Sequence, residues 1–366
     1  MTAAALPPGA VARSRPVKPS AIERELSELW MAEADARREA GDGEKPLSRT
    51  LLHTLVVYSP DVTAAEEARQ AAAALSARQP SRSIFVALRP GAAGLLDAEV
   101  TLYCAAPLSG HDQVCGEQVM LNVGPEAVRG LAGAVLPLLL TNVPSFLWWQ
   151  HDNPMGMLAL DDLAPAIDRL IVDSMSFEAP AAGLAELAGA VADPAFLPVV
   201  SDLSWARLAS WRYQVAQIFD APALRPYLGR ITNVRLATYV GTPVLAWLLG
   251  AWLATRLGWE AGQWDEAGLA LKSGQHVRFD SLPLMPGVEP GWFAGVTLEA
   301  GDGSRFEVRR MGSTCTETSL ALGRLQTERV VPLREESLSA WLGHELNRLG
   351  RSPTYEAALR LLADSM

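Results

Sequence analysis

Lysine is almost missing from this chain of 366 residues: Lys18, Lys45 and Lys272 are its lysines, and every other basic side chain is arginine. A catalytic lysine therefore has few candidates. Cysteine is scarce too. Cys104, Cys115 and Cys315 are an odd, sparse set that does not read as a disulfide framework. The opening MTAAALPPGAVARSRPVKPS has no apolar core of the kind a secretory signal needs. The most apolar helical stretch, Pro243 to Trp259, carries Arg256 and falls short of a membrane span. A cytoplasmic protein is the expectation. Positive charge is in deficit, with a net charge of −10 and a pI near 5.1, which argues against nucleic acid or an anionic membrane as partner.

Glycine is missing where nucleotide chemistry would need it. The strand read at 51–58 runs into SPDVTAAEE, without a glycine to let a backbone approach a pyrophosphate. Gly41-x-Gly43, Gly91-x-x-Gly94 and Gly301-x-Gly303 lack the rest of that spacing, and neither a Walker loop nor a Gly-x-Ser-x-Gly elbow occurs. No cofactor and no metal is expected.

What is present is a sizeable core, with 49% hydrophobic against 20% charged residues. In Val135 to Trp149, VLPLLLTNVPSFLWW, a helix-like run leads into a short apolar run ending in two tryptophans. Leu170-Ile-Val-Asp-Ser174 follows. Alternating helical and buried-strand signals point to a parallel α/β sheet. Strands are read at 51–58, 83–88, 99–104, 118–123, 144–149, 168–172 and 198–201, the third and fourth as an antiparallel pair. Helices are read at 62–78, 125–140, 182–191 and 204–219. A second half begins near Ala221-Pro222, with a boundary near Phe177-Pro180 fitting nearly as well. It holds a strand at 231–240, a helix at 243–258, five short strands around 276–282, 292–299, 304–310, 314–321 and 328–332, and helices at 334–348 and 354–364. Gly301-Asp-Gly303 is a hairpin signal. The predicted architecture is an α/β N-terminal domain, with a mostly parallel or mixed sheet flanked by helices, plus an α+β C-terminal domain. The predicted limits are a disordered tail at 1–19, a helix and linker at 20–47, and domains at 48–222 and 223–366. In the early helix Ser20 and Glu23 suit a capping box, and Ile22, Leu26, Leu29 and Trp30 make one apolar stripe.

Few residues suggest chemistry. Cys104, His111 and Cys115 share one segment, but their spacing is loose and a fourth zinc ligand is lacking. Cys115 is the better candidate for an exposed redox thiol, with a buried, unreactive role the more common case. His53 lies inside a buried strand, and His151-Asp152 has no nucleophile to serve. Ser81-Arg82 at a strand start could hold a phosphate or merely be solvated. Eleven tryptophans are many, and tryptophan is favoured at interface hot spots, although each is more often core. Trp148 and Trp149, adjacent in a strand, must face opposite ways, so that one can be core and the other exposed. Trp205, Arg207, Trp211 and Arg212 cluster within two helical turns, with Asp173 and Asp202 placed to pair with the arginines.

Read in order, LVVYSPD (55–61), PSRSIFV (80–86), VLPLLLTNVPSFLWW (135–149), DRLIVDS (168–174), DLSWARLASWR (202–212) and LAWLLGAWLATRLGW (245–259) resemble the OpcA family, the glucose-6-phosphate dehydrogenase assembly proteins. The resemblance runs from about Ile22 to about Trp259. It implies a non-catalytic partner that assembles and activates glucose-6-phosphate dehydrogenase, the entry enzyme of the oxidative pentose phosphate pathway. On that implication Trp148, Trp149, Asp173, Trp205, Arg207, Trp211 and Arg212 are the expected contact or shape-holding residues. The competing expectation is an enzyme or sugar-phosphate binder using a sheet-edge pocket around Ser59, Ser81, Arg82, Asp173 and Ser174.

Overall fold

The computed structural model describes residues 11–39, 49–76, 78–91, 96–104, 114–260, 262–265, 268–272, 274–333, 337–348 and 350–366. His111 and the Gly41-to-Gly43 turn lie outside the described residues. The chain forms two compact units that are interleaved along the sequence. The first comprises residues 1–172, 195–200 and 342–349, and the second 173–194, 201–341 and 350–366.

The first unit is an α/β body. Its elements are β1 (Val11–Val17), α1 (Ile22–Glu39), β2 (His53–Ser59), α2 (Val62–Leu75), β3 (Ser81–Leu88), β4 (Leu96–Cys104), β5 (Cys115–Val123), α3 (Leu131–Val135), β6 (Ser145–Trp149), α4 (Leu158–Leu163) and β7 (Arg169–Val172). An eighth strand, β8 (Val199–Asp202), begins here and ends in the second unit. The sheet order is β1-β4-β5-β3-β2-β6-β7-β8. Pairs β5–β3, β3–β2, β2–β6 and β6–β7 are parallel, while β4 runs antiparallel to β5 and β1 antiparallel to β4. Continuous apolar runs such as Leu55-Val-Val57 and Ile84-Phe-Val86 are fully buried, as a sheet covered on both faces requires.

Three local expectations change. Residues 11–17, expected in a disordered tail, form β1 and pair with β4 from Ala98 to Cys104. Ser20 lies inside a 3₁₀ turn, Pro19–Ala21, that leads into α1, and Glu23 reaches Arg82. The stripe of Ile22, Leu26, Leu29 and Trp30 is buried, with α1 packed against β4. The third change concerns the cysteines. Cys104 and Cys115 stand opposite each other in the β4–β5 ladder and form a disulfide, so Cys115 is not an exposed thiol. Their separation along the chain gives no hint of this, because the pairing needs the hairpin register. Cys315 is the free cysteine.

The second unit is α+β. It holds α5 (Pro180–Ala192), α6 (Leu203–Arg207), α7 (Ala209–Ile218), β9 (Ile231–Tyr239), α8 (Val244–Leu257), β10 (Gln263–Asp265), β11 (Gly268–Ala270), β12 (His276–Leu282), β13 (Phe293–Ala300), β14 (Arg305–Met311), β15 (Cys315–Leu322), β16 (Leu325–Pro332), α9 (Leu338–Leu346, counted with the first unit from Leu342) and α10 (Pro353–Ser365). The sheet order is β10-β11-β12-β9-β13-β14-β15-β16, and β9–β12 is its parallel pair. Val234 and Leu236, Val296 and Leu298, and Phe306 and Val308, two residues apart in neighbouring strands, share one buried sheet face. Helix α8 lies against that face through Gly250. A Cβ there would come within 3.2 Å of Leu236 and Val277, so glycine permits the close approach. Gly258, at φ 69°, ends the helix in the left-handed cap that favours glycine.

Candidate functional site

The residues expected to act together converge in the second unit where the chain leaves β7 and β8. Asp173 directly follows β7, and Ser174–Ser176 then turn in a single 3₁₀ turn. Asp202 caps α6 by accepting the Ser204 amide at 2.9 Å. That helix sets Ser204 and Arg207 three residues apart on one face, where both reach Asp173. Arg207 donates from Nη1 to Oδ1 at 2.6 Å and from Nη2 to Oδ2 at 2.8 Å, while the Ser204 hydroxyl donates to Oδ1 at 2.6 Å. The Met175 amide in turn donates to Ser204 Oγ at 3.0 Å. The guanidinium of Arg207 lies 4.4 Å from the ring centre of Trp341, a cation–π contact.

Asp202 does not pair with an arginine as expected. It accepts the Ser174 amide at 3.1 Å, the Ser174 hydroxyl at 2.6 Å and the Tyr355 hydroxyl at 3.2 Å. Two carboxylates thus stand close together with opposite fates. Burial pushes Asp202 up to about 6, the neighbouring charge of Asp173 adding to it against the pull of its hydrogen bonds. Burial also acts upward on Asp173, but the charge and hydrogen bonds of Arg207, with those of Ser204 and Met175, outweigh it and hold this acid below its ordinary value.

Around the Asp173–Arg207 pair the aromatic and cationic groups interleave. Arg212 stacks 3.7 Å from the Trp205 ring centre and donates to the Trp205 carbonyl at 2.7 Å. Trp205 tilts against Tyr355 at 5.3 Å. Arg310 lies over both Trp211 and Trp292, at 5.5 and 5.1 Å, and donates to the Phe293 carbonyl at 2.9 Å. The concavity lined by Arg207, Trp211, Trp292, Phe293, Arg310 and Trp341 has room for about one water molecule. A metabolite does not fit there. The arrangement offers a pre-set surface of guanidinium and indole groups.

Of the expected residues, Asp173, Trp205, Arg207, Trp211 and Arg212 come together here. Trp205 and Trp211 are buried, whereas Arg207 and Arg212 remain partly exposed. Trp148 and Trp149 sit in β6 of the first unit, at 2% and 1% exposure, so neither faces outward as expected. Trp149 stacks on Tyr58 at 4.0 Å, because β2 and β6 pair in parallel with these residues opposite. Both faces of the sheet are covered, which the dipeptide alone does not reveal. Trp292, Arg310, Trp341 and Tyr355 were not foreseen as site residues. Trp292 immediately precedes β13, and the others come from β14, α9 and α10; no local motif marks them.

The phosphate expectation meets a different geometry. Arg82 is buried and committed: its Nε donates to Glu117 at 2.6 Å, its Nη1 to the Leu138 carbonyl at 3.0 Å, and it also pairs with Glu23. Ser81 shares a hydrogen bond with Ser83. Ser59 lies at the other end of the same parallel pair, opposite Ala87 where Ser81 is opposite His53, which separates it from Ser81 by roughly 20 Å. One sheet-edge pocket cannot hold both. His53 is a core residue edge-on to Phe146 at 5.3 Å, and burial lowers it to about 4, leaving it neutral. The Asp152 amide donates to His151 Nδ1. Among the described residues no group of acids, histidines and cysteines has the arrangement of a metal site, and no helix is long and apolar enough to cross a membrane.

These features define a protein of two interleaved units, one α/β and one α+β, with a cluster of mutually satisfied arginine, carboxylate and tryptophan side chains. Family comparison takes this further. Residues 72–189 match the glucose-6-phosphate dehydrogenase subunit N-terminal domain, and residues 198–359 match the C-terminal domain of the same description. Together they cover well over half of the chain, which belongs to the OpcA family of glucose-6-phosphate dehydrogenase assembly proteins. A relative from Nostoc punctiforme is 28% identical over 79% of this chain, and one from Synechococcus elongatus is 27% identical over 73%. Both are provisionally named OxPP cycle protein OpcA. The chain matches 66% and 64% of their respective lengths, a little under two thirds. Among solved structures, glucose-6-phosphate 1-dehydrogenase from Mycobacterium avium aligns over 85% of this chain and 91% of its own, with a TM-score of 0.44 and 12% identity. The oxidoreductase YvaA from Bacillus subtilis aligns over 86% and 94%, with a TM-score of 0.46 and 9% identity. Likenesses at this level carry no functional argument.

Proposed function

We propose that this chain is a non-catalytic effector that binds glucose-6-phosphate dehydrogenase and favours its active form. The observation that carries the reading is the family membership, since both matched domains are described as parts of a glucose-6-phosphate dehydrogenase subunit. The second unit supports it with a surface suited to protein contact. Arg207 and Arg212 are fixed by Asp173 and Trp205, and Tyr213 beside them is exposed. Preset arginine and aromatic side chains lose little entropy on binding, which is why such groups dominate interface energetics. An effector of this kind works only through tighter binding to the active state, and a preference of about 1–3 kcal/mol changes activity many-fold.

The test is the turnover of the cognate dehydrogenase, followed as NADPH formation across a titration of the purified chain, with complex size measured by light scattering. A saturable rise in rate with a heavier complex is expected. A flat titration without a complex would remove the partner reading. Arg212→Ala with Tyr213→Ala is expected to fold normally and shift the titration by tenfold or more. An unshifted curve would place the contact elsewhere on the chain.

A further inference from the structure

The parallel part of the first unit is wound as a dinucleotide-binding sheet. In chain order β2, β3, β5, β6 and β7 are strands one to five, and they lie as 3-2-1-4-5, with β8 next in the sheet order. In such sheets the ligand sits beyond the carboxyl ends of strands one and four, here β2 and β6, with its pyrophosphate on the helix that follows strand one, here α2. We infer that this crevice is sealed by the chain's own side chains, so that the chain takes no NAD(P) although its sheet has the order to do so.

Three observations at that point carry the inference. The turn from β2 to α2 is Ser59-Pro60-Asp61. Pro60 has no amide hydrogen to offer a phosphate, and the glycines that would admit one are replaced by side chains. The carboxylate of Asp61 takes the Ala64 amide at 2.9 Å, so a negative charge already occupies the positive end of α2. Between the two strand ends, the Ser59 hydroxyl donates to the side-chain Oε1 of Gln150 at 2.6 Å, and the Gln150 backbone N–H extends the β2–β6 ladder by donating to the Tyr58 carbonyl at 2.9 Å. Beside this bridge Tyr58 and Trp149 stack face to face at 4.0 Å. The gap that opens at a switch point is here spanned by hydrogen bonds and filled by rings. Arg89, just past β3 where a 2′-phosphate would be met, donates from Nε to Asn122 Oδ1 at 3.0 Å. A pyrophosphate would therefore meet a carboxylate, a proline and a bridged crevice.

The test uses the full chain without any dehydrogenase, so its outcome does not depend on the activator reading. Equilibrium dialysis and thermal melts are run with NADP+, NADPH and inorganic phosphate at about 1 mM each, where a ligand of that Kd or tighter raises stability measurably. The wild-type chain is expected to show neither binding nor a shift. Saturable NADPH binding by the wild-type chain would overturn the inference. The variant Asp61→Ser, Gln150→Ala keeps a capping side chain but removes the charge and the side-chain bond from Ser59 across the strand ends. It is expected to gain saturable binding of NADPH or phosphate. Absence of that gain in a folded variant would show that the seal is not what excludes the nucleotide. Should the double variant not fold, Asp61→Ser alone with phosphate as probe decides the point in the same way.

Discussion

Arg207 clasps Asp173 with both arms of its guanidinium, at 2.6 and 2.8 Å, with the two side chains 15% and 19% exposed. A pair so placed is neither a solvated surface bridge nor a fully buried one. Bidentate geometry, the Ser204 hydrogen bond and the Trp341 ring all favour strong coupling. A double-mutant cycle over Asp173→Ala and Arg207→Ala is expected to give a coupling of about 2 kcal/mol or more in urea unfolding. Arg207→Lys keeps the charge and loses the fork, and should recover less than half of that. A coupling below about 0.5 kcal/mol would reduce the pair to a screened surface contact.

Asp202 gives the second prediction, through pH. Its folded value of about 6 lies above the 3.8 of a free aspartate. The stability it contributes is therefore complete below pH 4 and is lost as pH rises through 6. Once ionised, the buried acid costs roughly 3 kcal/mol. Asp173 is shifted downward, so its contribution is complete above pH 4 and does not overlap this window. In Asp202→Asn the amide oxygen can keep the two backbone donors, and the amide hydrogens can face the Ser174 and Tyr355 hydroxyls. Urea midpoints of the wild type should fall between pH 4.5 and 7.5, and those of the variant should change less and exceed the wild type at pH 7.5. A variant weaker than wild type at pH 7.5 would mean that ionised Asp202 is not costly.

Much of this architecture is legible along the chain and some is not, for physical reasons. Buried parallel strands such as Leu55-Val-Val57 announce themselves as short apolar runs, and α8 as a long one closed by Gly258. The cluster Trp205, Arg207, Trp211, Arg212 is visible because helical spacing is local. Strand β1 is not visible, because ARSRP has no apolar alternation and is held by pairing with β4. Trp341, Arg310 and Trp292 reach the site from distant elements, and only sheet register and helix placement bring them together. The fates of Trp148 and Trp149 follow from a sheet covered on both faces, which adjacent residues cannot report.

Glu117 supplies the third prediction. It is fully buried in β5 and accepts from Arg82 and Arg49 at 2.6 Å each and from the Trp30 indole at 2.7 Å. Through Trp30, and through Glu23 on Arg82, this carboxylate ties α1 to the sheet. Glu117→Ala leaves the buried Arg82 guanidinium with Glu23 and the Leu138 carbonyl but without its fully buried counter-charge, and should cost about 3 kcal/mol. Arg82→Met combined with Glu117→Leu leaves no buried charge, since Arg49 and Glu23 can turn to solvent, and should recover most of the loss. Hydrogen exchange supplies the local readout. Amides of Leu26 to Glu33 should exchange faster in Glu117→Ala than those of β2, whereas a uniform change would mean that the carboxylate does not anchor α1.

The disulfide between Cys104 and Cys115 closes the β4–β5 hairpin across a separation of 11 residues. Closing a loop of that length removes entropy from the unfolded chain worth about 3 kcal/mol. Reduction should therefore lower the urea midpoint of the wild type and leave that of Cys104→Ala, Cys115→Ala unchanged. The loss should fall mainly on unfolding of the first unit, because β4 also carries β1. Thiol titration in denaturant checks the premise independently. Before reduction Cys315 alone should react, and afterwards all three cysteines. Three reactive thiols without reductant, together with a midpoint indifferent to it, would mean that the purified protein does not hold the bond. The β4–β5 ladder would then rest on backbone pairing and burial alone, with Cys104 and Cys115 as two small apolar side chains facing each other across it.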